Sequence, residues 1–205
     1  MNPDGISLSI RCAASTQLPT KYGRFQALGF ERPTDGKLET AVVLIMGDVM
    51  SHAPLVRIHS ECFSGDVLGS QRCGCGEQLN HAMRAVAKQG AGIVIYERQE
   101  GRGIGLMAKL KAYELQDQGL DAVEANQHLG QDTDLRNYVL PAEILQFLGI
   151  TRVRLLTNNP QKVAALEKAG IEVIERLDCE TSPSPFAVPC LLTEMTKNAQ
   201  RLQSA

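Results

Sequence analysis

The chain has 205 residues, 43% of them apolar and 21% charged, which is enough to bury a core in one α/β domain or a small domain pair and too apolar for disorder except at the ends. A formal net charge of −2 supplies no basic field for nucleic acid, so any polyanion site must be local. No apolar run reaches the ~18–20 residues that span a bilayer, and the N-terminus lacks a charged region followed by an apolar one, so a cytoplasmic protein with no membrane partner is expected.

Residues 18–56 read as short strands: 23–30, then the apolar run 41–46, then Leu55-Val56-Arg57-Ile58-His59, which alternates. Next comes the turn Arg72-Cys73-Gly74-Cys75-Gly76. Beyond it Leu79, Met83 and Val86 recur at helical spacing, and Gly90 stops that helix before the strand Ile93-Val94-Ile95-Tyr96. A second helix is expected over 106–118, ending at Gly119, with Leu106, Leu110 and Tyr113 on its core face. A third covers 141–148, ending at Gly149. Residues 153–157 read as strand, Asn158 or Asn159 caps a helix with Pro160 in its first turn, Gly170 stops it, and 171–174 form a last strand. Thr181 to Pro185 is a Ser/Pro stretch leading into a polar tail. The expected class is α/β with α+β character: a mixed β-sheet core flanked by helices, with a β-rich N-terminal part. The expected organisation is an N-terminal extension (1–17), a catalytic domain (18–178) and a C-terminal tail (179–205).

Six cysteines are present. Their clustering at Cys62, Cys73 and Cys75 fits a shared metal in a reducing compartment better than disulfides, while Cys12, Cys179 and Cys190 look incidental. Structural zinc takes four protein ligands whereas catalytic zinc keeps one position free, so three sulfurs point towards hydrolysis. Two plainer readings stand beside this one: buried free thiols, or a structural site completed by His59 or His81. The segment Glu97-Arg98-Gln99-Glu100-Gly101-Arg102-Gly103-Ile104-Gly105 lies between a strand and a helix. Its alternate glycines let backbone approach a ligand, and Arg98 and Arg102 offer charge to phosphates. It matches neither the dinucleotide fingerprint nor a P-loop, and a solvated turn is the alternative. A second anion site is Thr157-Asn158-Asn159-Pro160-Gln161-Lys162, which also reads as ordinary helix-start architecture. In an extended Arg57-Ile58-His59-Ser60-Glu61-Cys62, residues 57, 59 and 61 share a face. The His-x-Glu pair here lacks the Pro-Cys-x-x-Cys of nucleobase deaminases, which excludes that class. Asp132-Thr133-Asp134-Leu135-Arg136 places a carboxylate and a guanidinium two residues apart, able to position water and steady negative charge, or simply solvated.

These blocks together resemble the GTP cyclohydrolase II family. They are Arg57 to Cys62, Gly65-Asp66, Arg72 to Gly76, Arg98 to Arg102, Lys111 to Gly119, Glu124-Ala125-Asn126 and Leu155 to Pro160. The resemblance runs from about Leu18 to Arg176. It implies that Cys62, Cys73 and Cys75 hold one zinc per subunit. It further implies that Arg57, Ile58, His59, Ser60, Glu61, Gln78, Glu100, Gly101, Arg102, Thr157 and Lys162 bind GTP, with magnesium on the triphosphate. Asp134 would be a proton acceptor, Arg136 a nucleophile or charge stabiliser towards the α-phosphate, and Tyr113 would line the guanine site.

The implied reaction releases pyrophosphate and formate from GTP and opens the imidazole ring at C8. It gives 2,5-diamino-6-(5-phosphoribosylamino)pyrimidin-4(3H)-one, the first step of riboflavin biosynthesis. Three thiolates leave zinc with a formal charge of about −1, so a nearby acid or base is expected, Glu61 or Tyr113. A guanidinium stays protonated, which favours Arg136 as stabiliser with Asp134 as its orienter. Ala122 stands where the family often has a GTP-contacting Thr, and Gly103 replaces a common Asn. The tail around Pro183 to Leu192 does not reproduce the family's C-terminal block. A monofunctional homodimer without a dihydroxybutanone phosphate synthase domain is expected. Two rivals remain: a relative that keeps the formyl group or serves another pathway, and a non-catalytic zinc and GTP sensor.

Overall fold

The structure, a computed structural model, describes residues 10–130, 134–179, 181–182 and 184–188. Asp132, Thr133, Pro183, Cys190, most of the N-terminal extension and most of the tail lie outside the described residues. One seven-stranded sheet, in the order β1-β2-β3-β5-β4-β6-β7, organises them. β1 (Arg11–Thr20), β2 (Gly23–Thr34) and β3 (Lys37–Met46) form an antiparallel meander that joins β5 (Gly92–Glu97) antiparallel. From β5 onwards the sheet is parallel, through β4 (Leu55–Ser60), β6 (Arg152–Leu156) and β7 (Glu172–Leu177). The expected mixed sheet with a β-rich N-terminal part is therefore the observed one. β1 crosses the boundary drawn at residues 17 and 18.

The parallel half carries the helices: α1 (Phe63–Asp66), α2 (Cys75–Gln89), α3 (Leu106–Asp117), α4 (Ala122–His128), α5 (Val139–Phe147) and α6 (Pro160–Lys168). Strands buried on both faces read as continuous apolar runs, and β4 is buried from Leu55 to His59. Alternate residues then serve different layers. Val56 and Ile58 join the core under α5 and α6, with Ile93, Ile95, Ile144, Leu145 and Leu166. Leu55 joins the core under α2, with Phe25, Val94, Met83 and Val86. No helix among the described residues is long and apolar enough to cross a membrane.

Four elements differ from the sequence reading. All but the last residue of β1 are exposed, so no buried alternation marks it. α1 is too short to show a period. α4 does carry a signal, a capping box in which the Asp121 side chain accepts from Val123 and Glu124 N–H while Glu124 reaches back. α3 is correctly bounded but turned: it buries Lys109 and Ala112, and Leu110 is exposed. At α6, Asn159 is the cap, its side chain accepting from Gln161 N–H.

Candidate metal centre and its two clefts

The end of β4, the short α1 and the first turn of α2 bring Cys62, Cys73 and Cys75 together, with their sulfurs all within 4.8 Å of one another. Asp66 pins this turn by accepting from Cys62 N–H at 2.9 Å, from the Tyr96 hydroxyl at 2.9 Å and from His59 Nε2 at 3.1 Å. Two glycines let the layers close. A Cβ at Gly65 would stand 3.2 Å from both Cys62 Sγ and Cys73 Sγ, and one at Gly76 would stand 2.4 Å from the Gly65 carbonyl oxygen.

The trio fits zinc. Tetrahedral bonds of ~2.3 Å put sulfurs ~3.8 Å apart, and Cys62 Sγ and Cys73 Sγ are 3.5 Å apart. The donor set is soft and sulfur-only, and among the described residues neither His59 nor His81 nor any other His, Cys, Asp or Glu joins it. Hydrogen bonds from Cys73 and Cys75 hold Cys62 far below the usual thiol range. The reciprocal bonds push Cys73 up to about 11 and Cys75 well above the ordinary value.

The sulfurs sit where two clefts meet. The first encloses about 810 Å3 of space open at its mouth and is lined by Ser60, Glu61, Cys62, Glu100, Gly101, Arg102, Tyr113 and Arg136, with Arg72, Lys109 and Ala122. Its wall is aromatic and cationic: the Arg72 guanidinium lies 4.3 Å from the Tyr113 ring centroid. Burial pushes the Tyr113 phenol up to about 12. Its floor is the tight turn Glu100–Gly103, where Gly101 and Arg102 both have positive φ, 60° and 59°. Arg102 is the one described non-glycine residue there, a strained backbone of the kind that ligand-facing loops hold.

The second cleft, about 660 Å3, is lined by Arg57, His59, Ser60, Gln78, Arg136, Thr157, Asn158, Asn159, Lys162 and Cys179, and it shares Cys73 and Cys75 with the first. It is cationic and under-bonded. Arg57 donates to the Leu156 carbonyl at 3.1 Å and to Gln78 Oε1 at 2.9 Å. Arg57 Nε and Asn158 Nδ2, both donors, and His59 Nδ1, the acceptor nitrogen when Nε2 donates to Asp66, are buried without a hydrogen-bond partner among the described residues. Lys162 donates to the Ile58 carbonyl at 2.8 Å, and burial, aided by Arg57, lowers it to about 7.

Arg136 belongs to both clefts. Asp134 takes its Nε at 2.9 Å and its Nη2 at 2.5 Å. Burial opposes the charged carboxyl, but the guanidinium holds Asp134 below its ordinary value. Gln99 fixes the same loop, accepting from Asn137 N–H at 3.0 Å and donating to its carbonyl at 2.7 Å. Asp134 lines neither cleft. Ile58 is core, and only its carbonyl faces Lys162. Tyr113, placed by periodicity in the core, instead lines the first cleft, because α3 is turned about its axis.

Three residues carry roles that the sequence reading did not assign. Lys109 reads as a solvated helix lysine, yet it is buried and donates to Cys62 Sγ at 3.1 Å and Glu100 Oε1 at 2.8 Å. Glu97 is buried, held by the Ser60 hydroxyl at 2.8 Å and the Gln99 amide at 2.9 Å, and burial raises its pKa. Asp66 belonged to a matching block without a role. Nothing local in the sequence distinguishes the first two from surface charges.

The family model for GTP cyclohydrolase II matches residues 11–178. The chain is 49% identical over 185 residues to the GTP cyclohydrolase-2 of Pseudomonas fluorescens (strain SBW25), covering 90% of this chain and 89% of that one. It is 48% identical over 191 residues to the GTP cyclohydrolase-2 of Hahella chejuensis (strain KCTC 2396), covering 93% and 91%. With the riboflavin biosynthesis protein VVA0006 of Vibrio vulnificus (strain YJ016) it shares 50% identity over 184 residues, which is 89% of this chain and 50% of that protein. The chain spans about half the length of that relative and somewhat less of the RibBA proteins it matches.

Proposed function

The chain belongs to the GTP cyclohydrolase II family, and from that premise we propose that it hydrolyses GTP in the first step of riboflavin biosynthesis. Formate, pyrophosphate and 2,5-diamino-6-(5-phosphoribosylamino)pyrimidin-4(3H)-one are the products. The observation that carries this reading is the position of the three sulfurs at the seam of an aromatic-walled cleft and a cationic one. A nucleotide has that same division, with a flat base at one end and a polyanion at the other.

Cys62, Cys73 and Cys75 would hold one zinc ion per subunit, which supplies Lewis acidity to activate water against C8 of the purine. Tyr113 faces the base. Its raised pKa keeps the phenol protonated at neutral pH, so it serves as a donor, and Glu61, in the same cleft, is the carboxylate left to accept a proton. Glu100, Gly101 and Arg102 shape the floor under the ribose and base. Arg57, His59, Ser60, Gln78, Thr157 and Lys162 take the phosphates, with Arg57 and Lys162 matching their charge and magnesium travelling on the triphosphate itself. Arg136, reaching both clefts, faces the α-phosphate. Its two-pronged bond to Asp134 suits an oriented cation that steadies the departing pyrophosphate better than a nucleophile. The catalytic unit takes in all of β1, residues 11–178, rather than starting at residue 18, and it acts as a homodimer; the long exposed edge strand β1 supports such pairing.

The test is to incubate zinc-loaded protein with GTP and magnesium and follow formate, pyrophosphate and nucleotide by mass spectrometry, with Cys73→Ser alongside. Equal formate and pyrophosphate, with formate lost in the variant, bear out the reading. Pyrophosphate alone indicates retained formyl, and neither product despite GTP binding indicates a sensor.

A further inference from the structure

Three thiolates that neutralise a zinc ion also overshoot it, leaving a formal charge of about −1 that weakens the metal as a Lewis acid. The protein places a cation against the sulfurs. Lys109, on the inward face of α3, is 9% exposed and donates to Cys62 Sγ at 3.1 Å. A lysine in this position is not a by-product of packing. Its ammonium is aimed by Glu100, which accepts from it at 2.8 Å and is itself fixed by N–H donors from Phe63 at 2.6 Å and Gly101 at 2.7 Å. Its stem lies against Gly101, where a Cβ would stand 3.2 Å from Lys109 Cβ. The left-handed turn therefore leaves room for this side chain as well as for a ligand. The ring of Tyr113, 5.8 Å from Nζ, closes the remaining side. Asp66, on the other side of Cys62, is already committed to three donors and does not compete for Lys109.

We propose that Lys109 is a positioning residue for the metal centre: its N–H···S bond to Cys62 withdraws electron density from that sulfur, so that a bound zinc ion stays electrophilic despite three thiolates. Partners of this kind tune a metal by ~10–100-fold in affinity or activity. The inference rests on the zinc reading above, but its test does not require GTP. Cobalt(II)-loaded parent, Lys109→Met, Lys109→Gln and Lys109→Arg proteins are compared by the sulfur-to-cobalt charge-transfer band, with far-UV circular dichroism to check folding. Methionine keeps the stem and removes donor and charge, so the band moves to lower energy. Glutamine keeps a neutral donor and gives a smaller move, and arginine restores the parent position. With GTP, Lys109→Met loses about 10–100-fold in kcat, and KM rises by less than kcat falls, because the lysine bonds the metal ligand directly and reaches substrate only through Glu100. An unshifted band in both folded Met and Gln variants overturns the proposal. If the band shifts but the parent releases no formate, the lysine stands and the assigned reaction falls; if formate is released and the band stays put, the reverse holds.

Discussion

Gly76→Ala is the sharpest test of how the metal centre is built. A Cβ there would stand 2.4 Å from the Gly65 carbonyl oxygen, and contacts under 3.0 Å are essentially never adopted, so α1 must retreat by about 0.6 Å, the difference between the two. In an uncrowded helix the same change stabilises by ~0.8–1.0 kcal/mol through helix propensity. Overpacking costs ~1–3 kcal/mol, towards the upper part when the obstacle is backbone that cannot rotate away. The expected net loss is ~1–2 kcal/mol in the metal-free protein. A second effect falls on zinc. α1 carries Asp66, which holds the Cys62 N–H, and metal–ligand distances tolerate only ~0.2 Å, so affinity drops at least about tenfold. Urea unfolding of chelated protein gives the stability and competition with a chromophoric chelator gives the affinity. A variant as stable as its parent, binding zinc equally well, would refute the reasoning.

Lys162 predicts proton uptake on anion binding. Its folded pKa, lowered to about 7 by burial and then by Arg57, lies below the ~10.4 of an unfolded lysine. The unfolded chain therefore binds more protons between these values, and the contribution to stability improves as pH rises through that window. A phosphate beside Nζ restores the charge, so pyrophosphate binding at pH 8 takes up as much as about one proton. Calorimetry in buffers of different ionisation heat reads this, and Lys162→Met abolishes it; a buffer-independent heat in the parent counts against the subsite. Arg136→Ala and Asp134→Asn are each expected to lower kcat, with a coupling of ~1–3 kcal/mol in a double-mutant cycle because the pair acts as one unit. Additive losses would separate them. Removing zinc by chelation should lower the melting temperature while leaving the sheet's circular dichroism intact, because both core clusters exclude the three cysteines; loss of the whole β signal would show that the metal holds the fold.

Periodicity made the parallel half readable, since β5 and α6 each carry a clear apolar pattern with a stop or cap at hand: Gly90 before one, Asn159-Pro160 at the start of the other. It failed where burial was not apolar. β1 buries too little to alternate, and α3 buries a lysine and an alanine, so the search for a hydrophobic stripe selected Leu110, which is exposed, and put Tyr113 in the core. A helix that faces a polar cleft inverts the rule by which helices are usually read.

By itself the sequence determined the alternation of strands and helices, the Cys73-Gly74-Cys75 turn with Cys62 as a candidate third thiol, and two glycine- or asparagine-marked strand ends suited to anions. These are properties of neighbouring residues, and local chemistry is sufficient for them. Only the tertiary structure decided that the parallel strands β4, β5 and β6 bring those segments together at their carboxyl ends, that the sulfurs lie between two clefts sharing Arg136, and that Lys109 points at Cys62. Each of these depends on contacts between residues tens of positions apart. The charge of a lysine says nothing of what it will meet until packing removes the water around it.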